Sequence, residues 1–202
     1  MSHYFTNDKI KSNEKIINIK IKEINLKFTV DNGVFSKKGL DFGTRTLLET
    51  IDTTKIKGDI LDFGCGYGPI GIYIAKKTNQ IVDMVDINER ALNLSKKNAK
   101  INNVKVNVFQ TDIYSNIDKN YDYIITNPPI RVGKKVLYEI IFESLNHLKE
   151  NGKLFLVINK NQGAKTLVKD LNEKHSANII NKNKGFYIIE AQNRWQQREK
   201  HL

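Results

Sequence analysis

A chain of 202 residues is long enough for one domain with a sizeable core, and 40% apolar residues, spread in blocks, exclude a disordered composition. The net charge of +11 draws the chain toward a polyanionic partner such as nucleic acid, although abundant Lys, Asn and Ile are also what an AT-rich genome encodes. No apolar run reaches the roughly 20 residues of a bilayer-spanning helix, and MSHYFTNDKIKSNEK lacks a signal-peptide core. The single cysteine, Cys65, and four scattered histidines (His3, His147, His175, His201) predict no disulfide and no metal site, and suit the cytoplasm.

In chain order, residues 1–40 stand apart as an N-terminal extension, with hairpin-like alternation over 15–30 and the turn-rich DNGVFSKKG behind it. GDILDFG (58–64) reads as a short buried strand ending in a glycine turn. PIGIYIAKKT (69–78) reads as a helix, with Pro69 in the first turn where no backbone donor is needed. IVDMVDI (81–87) is a second strand, and Asn88 is a cap for a helix over 89–100. VKVNVF (104–109) and YDYIIT (121–126) are further strands.

The stretch 134–150 places Leu137, Ile140, Ile141, Leu145 and Leu148 on one helical face. Asn151-Gly152 then reads as a turn into KLFLVI (153–158), an unbroken apolar run typical of a strand buried on both faces. A helix over 162–173 and strands near 177–182 and 185–191 close the chain. The alternation predicts a doubly wound α/β fold with a mostly parallel seven-stranded sheet. No helix separates the last two strands, so one of them is expected to run antiparallel.

The strongest chemical signal is DFGCGYGP (62–69), with Gly64, Gly66 and Gly68 between a strand and a helix. Glycines there let the backbone turn tightly and approach a ligand. A dehydrogenase fingerprint would be GxGxxG, but position 69 is Pro. The form opened by Asp62 resembles motif I of the class I S-adenosylmethionine methyltransferases, which implies that this loop, Cys65 included, passes beneath the methionine part of the cofactor. Cys65 has no histidine placed to activate it and reads as a small loop residue. Asp86 closes the second strand about twenty residues on, where it is placed to accept hydrogen bonds from ribose hydroxyls. Asp83, its competitor, lies within the strand. Asp112, after the third strand, suits either an adenine amino group or an ordinary turn.

NPPI (127–130) follows a strand directly, so Asn127 falls at the carboxyl end of the sheet where such folds bind ligands. Pro128 and Pro129 stiffen the loop and add no donors. The motif resembles the (N/D)-P-P-(Y/F) signature of methyltransferases acting on exocyclic amines. The resemblance implies that the Asn127 oxygen and the Pro128 carbonyl accept hydrogen bonds from the target NH2. An aryl amine's lone pair is delocalised into its ring, and two acceptors stabilise the pyramidal form that can attack a methyl group.

Taken with GVFSKKGLDFGTRTLLE (33–49) and NPPIRVGKK, these motifs resemble the ribosomal small-subunit RNA (guanine-N2) methyltransferase C family over residues 30 to 191. That resemblance implies a class I, Rossmann-like domain over 41–202, with S-adenosylmethionine as cofactor and ribosomal RNA as partner. It also sets Asp41 and Gly43 beside the start of a helix over the pocket. Phe35 suits either core packing or stacking on the target base. Ile130 stands where many amine methyltransferases carry Tyr or Phe, and longer family members carry an additional N-terminal domain.

Basic residues at Lys37-Lys38, at Arg131 with Lys134-Lys135, and in the tail NRWQQREK (193–200) are candidate phosphate contacts or plain solvated surface. Two other readings stand beside RNA methylation: a protein-glutamine methyltransferase, whose amide NH2 suits the same acceptors, and a non-catalytic RNA- or nucleotide-binding module. Guanine is carried by the resemblance alone.

Overall fold

The structure, a computed structural model, describes residues 11–34, 36, 39–129 and 132–194. Strands β1 (Lys15–Ile21) and β2 (Ile24–Val30) form the expected hairpin around Lys22-Glu23. Its alternation puts Ile19, Ile21, Leu26, Phe28 and Val30 on one buried face. Helix α1 (Phe42–Thr50) follows, capped by Asp41, whose side chain accepts from the Thr44 N–H.

The main sheet contains β3 (Ile60–Phe63), β4 (Val82–Asp86), β5 (Val106–Gln110), β6 (Tyr121–Thr126), β7 (Leu148–Asn159), β8 (His175–Asn183) and β9 (Phe186–Asn193). Its order is β5-β4-β3-β6-β7-β9-β8. All pairings are parallel except those of β9, which runs antiparallel to both β7 and β8. The chain winds outward from β3 to β5 and restarts on the other side of β3 with β6. The carboxyl ends of β3 and β6 therefore flank the topological switch point, where open sheets of this kind hold ligands.

Helices α2 (Pro69–Thr78), α3 (Glu89–Ile101), α4 (Gly133–Asn146) and α5 (Ala164–Leu171) cover the two faces. Pro69 opens α2, and the Asn88 side chain caps α3 by accepting from the Ala91 N–H at 3.2 Å. The hairpin and α1 to α3 share one buried cluster; α4 and α5 share the other. β7 divides its apolar run between them, Phe155 and Val157 to the first, Leu154, Leu156 and Ile158 to the second. Burial on both faces explains why KLFLVI shows no polar alternation.

Three elements depart most from their expected bounds. α4 stops at Asn146, and β7 begins at Leu148 instead of 153. Asn151-Gly152 is therefore not a turn before the strand but an irregularity within it, where the register with β6 shifts. Asn151 has φ 61, and a Cβ on Gly152 would lie 2.8 Å from the Tyr121 carbonyl. The 162–173 helix shrinks to 164–171 because Lys160–Gln162 is a separate 3-10 turn ended by left-handed Gly163.

One docking device has no periodic signature. The Asn98 side chain accepts from the Thr29 N–H at 2.7 Å and donates to the Thr29 carbonyl at 2.9 Å. Asn102, one turn on, does the same at Lys27, at 3.0 and 2.8 Å. The two amides bond the free edge of β2 as a neighbouring strand would.

Candidate active site

The glycine loop leaves β3 and is tied to β4 at once: the Cys65 N–H donates to the Val85 carbonyl at 2.8 Å. The Gly66 N–H donates to Asp86 Oδ2 at 2.9 Å. Gly64 and Gly66 have φ of 71 and 56, a region that costs other residues about a kcal/mol or more. A Cβ at either would meet no atom within 4 Å. Gly68 and Gly71 differ, since a Cβ there would press on Ile72 or Met84 at 2.8 and 2.7 Å. Two glycines thus keep a cleft open, and two let α2 lie close on β4.

Asp62 and Asp86 frame this loop. Asp62 is buried; its Oδ2 accepts from the Gly71 N–H at 2.8 Å, while Oδ1 has no partner among the described residues. Burial, with Asp86's charge adding, pushes its carboxyl up to about 7 against the opposing Gly71 hydrogen bond. Asp86 Oδ1 accepts from the Asn88 N–H at 2.9 Å, and burial raises its carboxyl also. Each Asp86 oxygen keeps a lone pair for a further donor. Asp83 is consumed elsewhere, bonded to Asn107, Lys119 and Tyr121. Cys65 is buried, and burial with the two nearby carboxylates drives its thiol upward, away from thiolate chemistry.

Asp112 is exposed and opens a turn whose Ser115 N–H donates to the Asp112 carbonyl at 3.1 Å. The preceding Thr111 N–H donates to the Asp86 carbonyl, so the turn sits beside the end of β4.

Asn127 leaves β6 half-buried across the switch point from the glycine loop. Thr126 ties the two strand ends together by donating from its hydroxyl to the Phe63 carbonyl at 2.8 Å. Asn127 Nδ2 donates to Thr44 Oγ1 at 2.9 Å and lies 3.4 Å from both Asp41 oxygens. Pro128 is buried and Pro129 half-buried. The Asn-Pro-Pro loop thus joins the ends of β6 and β3 to the start of α1, and the glycine loop joins β3 to β4. Phe35, Lys37, Lys38, Ile130, Arg131 and the tail from Trp195 on lie outside the described residues. Lys134 lies with its Nζ 4.9 Å from the Tyr138 ring centre, and Lys135 is exposed.

Thr44 was not singled out by sequence. Asp41-x-x-Thr44 before an apolar run is a readable helix-start signal, but nothing in it points to Asn127. Tyr67 was also passed over. It is buried edge-on against Phe28 with its hydroxyl unpartnered among the described residues; burial and the Asp41 charge raise its phenol.

The sequence model of the methyltransferase small domain matches residues 25–190. The chain belongs to that family. Its members take their methyl group from S-adenosylmethionine. Bacillus subtilis YbxB is 42% identical over 198 residues, covering 95% of this chain and 98% of its own. Ribosomal RNA small subunit methyltransferase C of Psychromonas ingrahamii is 42% identical over 133 residues, 63% of this chain and 38% of that protein. The Haemophilus influenzae (strain Rd KW20) protein of the same name matches likewise, with 40% of its length covered. This chain thus spans about two fifths of the methyltransferase C relatives it matches. Among solved structures, the Thermus thermophilus 16S rRNA N2 G1207 methyltransferase, in complex with AdoMet and guanosine, superposes with a TM-score of 0.81 at 22% identity, over 92% of this chain and 52% of that one. The fold is the class I methyltransferase fold. Among the described residues no helix is long and apolar enough to cross a membrane, and no cluster of three metal-ligating side chains occurs.

Proposed function

We propose that this methyltransferase modifies an exocyclic amine, guanine N2 in small-subunit ribosomal RNA, from S-adenosylmethionine bound over the glycine loop. The observation that carries the reading is the placement of the Asn127-Pro128 acceptors across the switch point from that open loop.

The residues suit the cofactor. Gly64 and Gly66 leave a cradle that a Cβ would occupy, and Asp62 Oδ1 is a buried acceptor without a donor. Asp86 has lone pairs for a ribose diol, and Asp112, on the turn beside the end of β4, is the acceptor we assign to an adenine amino group. Gly68 is the N-cap of α2, and Cys65 is a small buried side chain within the loop. When bound, S-adenosylmethionine supplies an electrophilic methyl on a sulfonium sulfur. Asn127 Oδ1 and the Pro128 carbonyl would accept hydrogen bonds from the two amine N–H groups and turn the nitrogen lone pair toward that methyl. The methyl would pass to that nitrogen with the electrons of the S–C bond left on sulfur, and the amine would then release one proton to water. Phe35 is assigned to the target nucleotide as an aromatic able to stack on a base, Ile130 as an aliphatic able to pack on its face where many amine methyltransferases carry Tyr or Phe, and Arg131 as a phosphate contact following the Asn-Pro-Pro loop. RNA as the polyanion is supported by the +11 charge and by the named activities of the methyltransferase C relatives.

The test is transfer of labelled methyl to small subunits, large subunits and their naked RNAs from cells lacking this protein. N2-methylguanine in small-subunit RNA is the expected product, reduced at least ~100-fold by Asn127→Ala, since loss of one preorganised polar contact costs about that much. Cofactor binding without label on any RNA would overturn the RNA reading and leave protein glutamine as the acceptor to try.

A further inference from the structure

We propose that Asp41 and Thr44 are positioning residues that hold the Asn127 side chain with its oxygen toward the methyl acceptor and its NH2 turned away. The proposal rests on the amine-methylation reading above and adds what makes Asn127 competent for it.

A carboxamide has nearly the same shape either way round, and a half-turn about its last torsion exchanges an acceptor for a donor. Only the oxygen-outward form can receive an amine proton; the other sets donor against donor. A strand end followed by two prolines does not choose between them. The choice falls to what the far side of the amide touches.

Thr44 Oγ1, buried and 2.9 Å from Asn127 Nδ2, is one neighbour. A hydroxyl both donates and accepts, so Thr44 alone would tolerate either orientation. Asp41 breaks the tie. Both its oxygens lie 3.4 Å from Asn127 Nδ2, and a carboxylate only accepts. At that distance the contact is a weak hydrogen bond, but its sign is unambiguous. Turning the amide over would replace N–H facing a negative group by an oxygen facing two oxygens. The same negative charge polarises the amide and enriches electron density on its outward oxygen. Positive charge builds on the amine nitrogen during methyl transfer, so that oxygen stabilises the transition state more than the ground state.

Asp41 is itself held in place. It is the N-cap of α1, with Oδ1 accepting from the Thr44 N–H at 3.1 Å, so one helix start delivers both groups. The Phe186 ring of β9 lies against Gly43, where a Cβ would be 2.9 Å from the ring and 3.1 Å from Asp41 Oδ1. Gly43 thus lets β9 press on the turn that carries the carboxylate.

Asp41→Asn keeps a good helix cap but offers Asn127 a group that donates as readily as it accepts. Thr44→Val keeps the shape and removes the oxygen; Thr44→Ser returns it. At saturating cofactor and acceptor, kcat is expected to fall at least ~10-fold in Asp41→Asn and Thr44→Val and to recover to within about threefold of the parent in Thr44→Ser. The Kd for S-adenosylmethionine is expected to stay within about twofold, because neither group is assigned to the cofactor. A second readout needs no turnover: the Asn127 side-chain NH2 signal in the amide NMR spectrum, identified by its loss in Asn127→Asp. It is expected to exchange slowly with solvent in the parent and rapidly in Asp41→Asn and Thr44→Val. Parent-like kcat in both variants, or an Asn127 NH2 that exchanges freely in the parent, overturns the proposal. If the parent methylates no acceptor, the functional reading fails, and the exchange measurement still decides the positioning.

Discussion

The two ends of the sheet treat their carboxylates in opposite ways. At the amino ends of the strands, Asp59 lies between Lys119 and Lys149, Asp122 pairs with Lys149 at 2.9 Å, and Asp83 pairs with Lys119 at 3.2 Å. These lysines hold the Asp59 carboxyl below its ordinary value, against a smaller cost of burial. At the carboxyl ends, Asp62 and Asp86 have no ion-pair partner among the described residues, and burial raises both. One end uses its charge to close the fold. The other leaves two buried carboxyls without a cation and one buried oxygen without a donor, which destabilises the free protein and marks this end as the candidate ligand side.

The largest expected effect that would break this contrast is at Asp62. Its carboxyl lies near 7 in the folded protein against 3.8 unfolded, so the folded state binds the extra proton between those values. Stability is therefore lost as pH rises from about 4 to 7 and is flat above. Asp62→Asn removes this dependence, and the stability difference between variant and parent should shift by on the order of 3 kcal/mol across that window. Urea melts at pH 4.5 and 8 measure it; the same shift in both proteins would show that Asp62 is not held under strain.

A middle-sized effect separates the two kinds of glycine. Gly71→Ala would force a Cβ to 2.7 Å from Met84 and is expected to cost about 2 kcal/mol of stability through overpacking. Gly64→Ala meets no atom and costs about 1 kcal/mol for its left-handed backbone, but it is expected to weaken S-adenosylmethionine binding at least ~10-fold. Thermal melts with cofactor titration distinguish them. Equal cofactor affinity in Gly64→Ala and the parent would remove the cradle from the glycine loop.

The smallest effect belongs to the amino ends. Lys149→Met leaves Asp59 and Asp122 each one cation short, but the groups are partly exposed and solvent screens them. A small loss of stability at pH 7, the least of the three effects, is expected, and it fades in acid as Asp59, whose carboxyl the lysines hold below its ordinary value, becomes protonated in the folded state as well as the unfolded. A loss that persisted unchanged in acid would point to packing of the Lys149 stem instead of its charge.

Much of this architecture was legible because it is local. Pro69, Asn88 and the apolar alternation of 15–30 each write their element within a few residues. That one of the last two strands runs antiparallel followed from the missing helix between them; the pairing with β7 makes it β9. The sequence was misleading at Asn151-Gly152, whose turn chemistry serves a strand irregularity because β6 continues to pair on both sides of it. Tertiary pairing outweighed the local preference there.

For the candidate site, sequence alone determined the residue types and their order along the chain: an acid near the end of one strand with three glycines after it, an acid closing the next, Asn-Pro-Pro directly after a fourth. These motifs lie at strand ends, and the parallel sheet brings such ends together without further specification. Only the tertiary structure decided how the side chains are oriented. Asn127 meets Thr44 across 83 positions and Asp41 across 86, Asn98 and Asn102 meet a hairpin edge about 70 to 75 positions away, and Asp83 turns to Lys119 instead of the cleft. A hydrogen bond between distant side chains has no period and no spacing rule. It exists only when packing of the apolar faces has placed donor and acceptor within about 3 Å of each other.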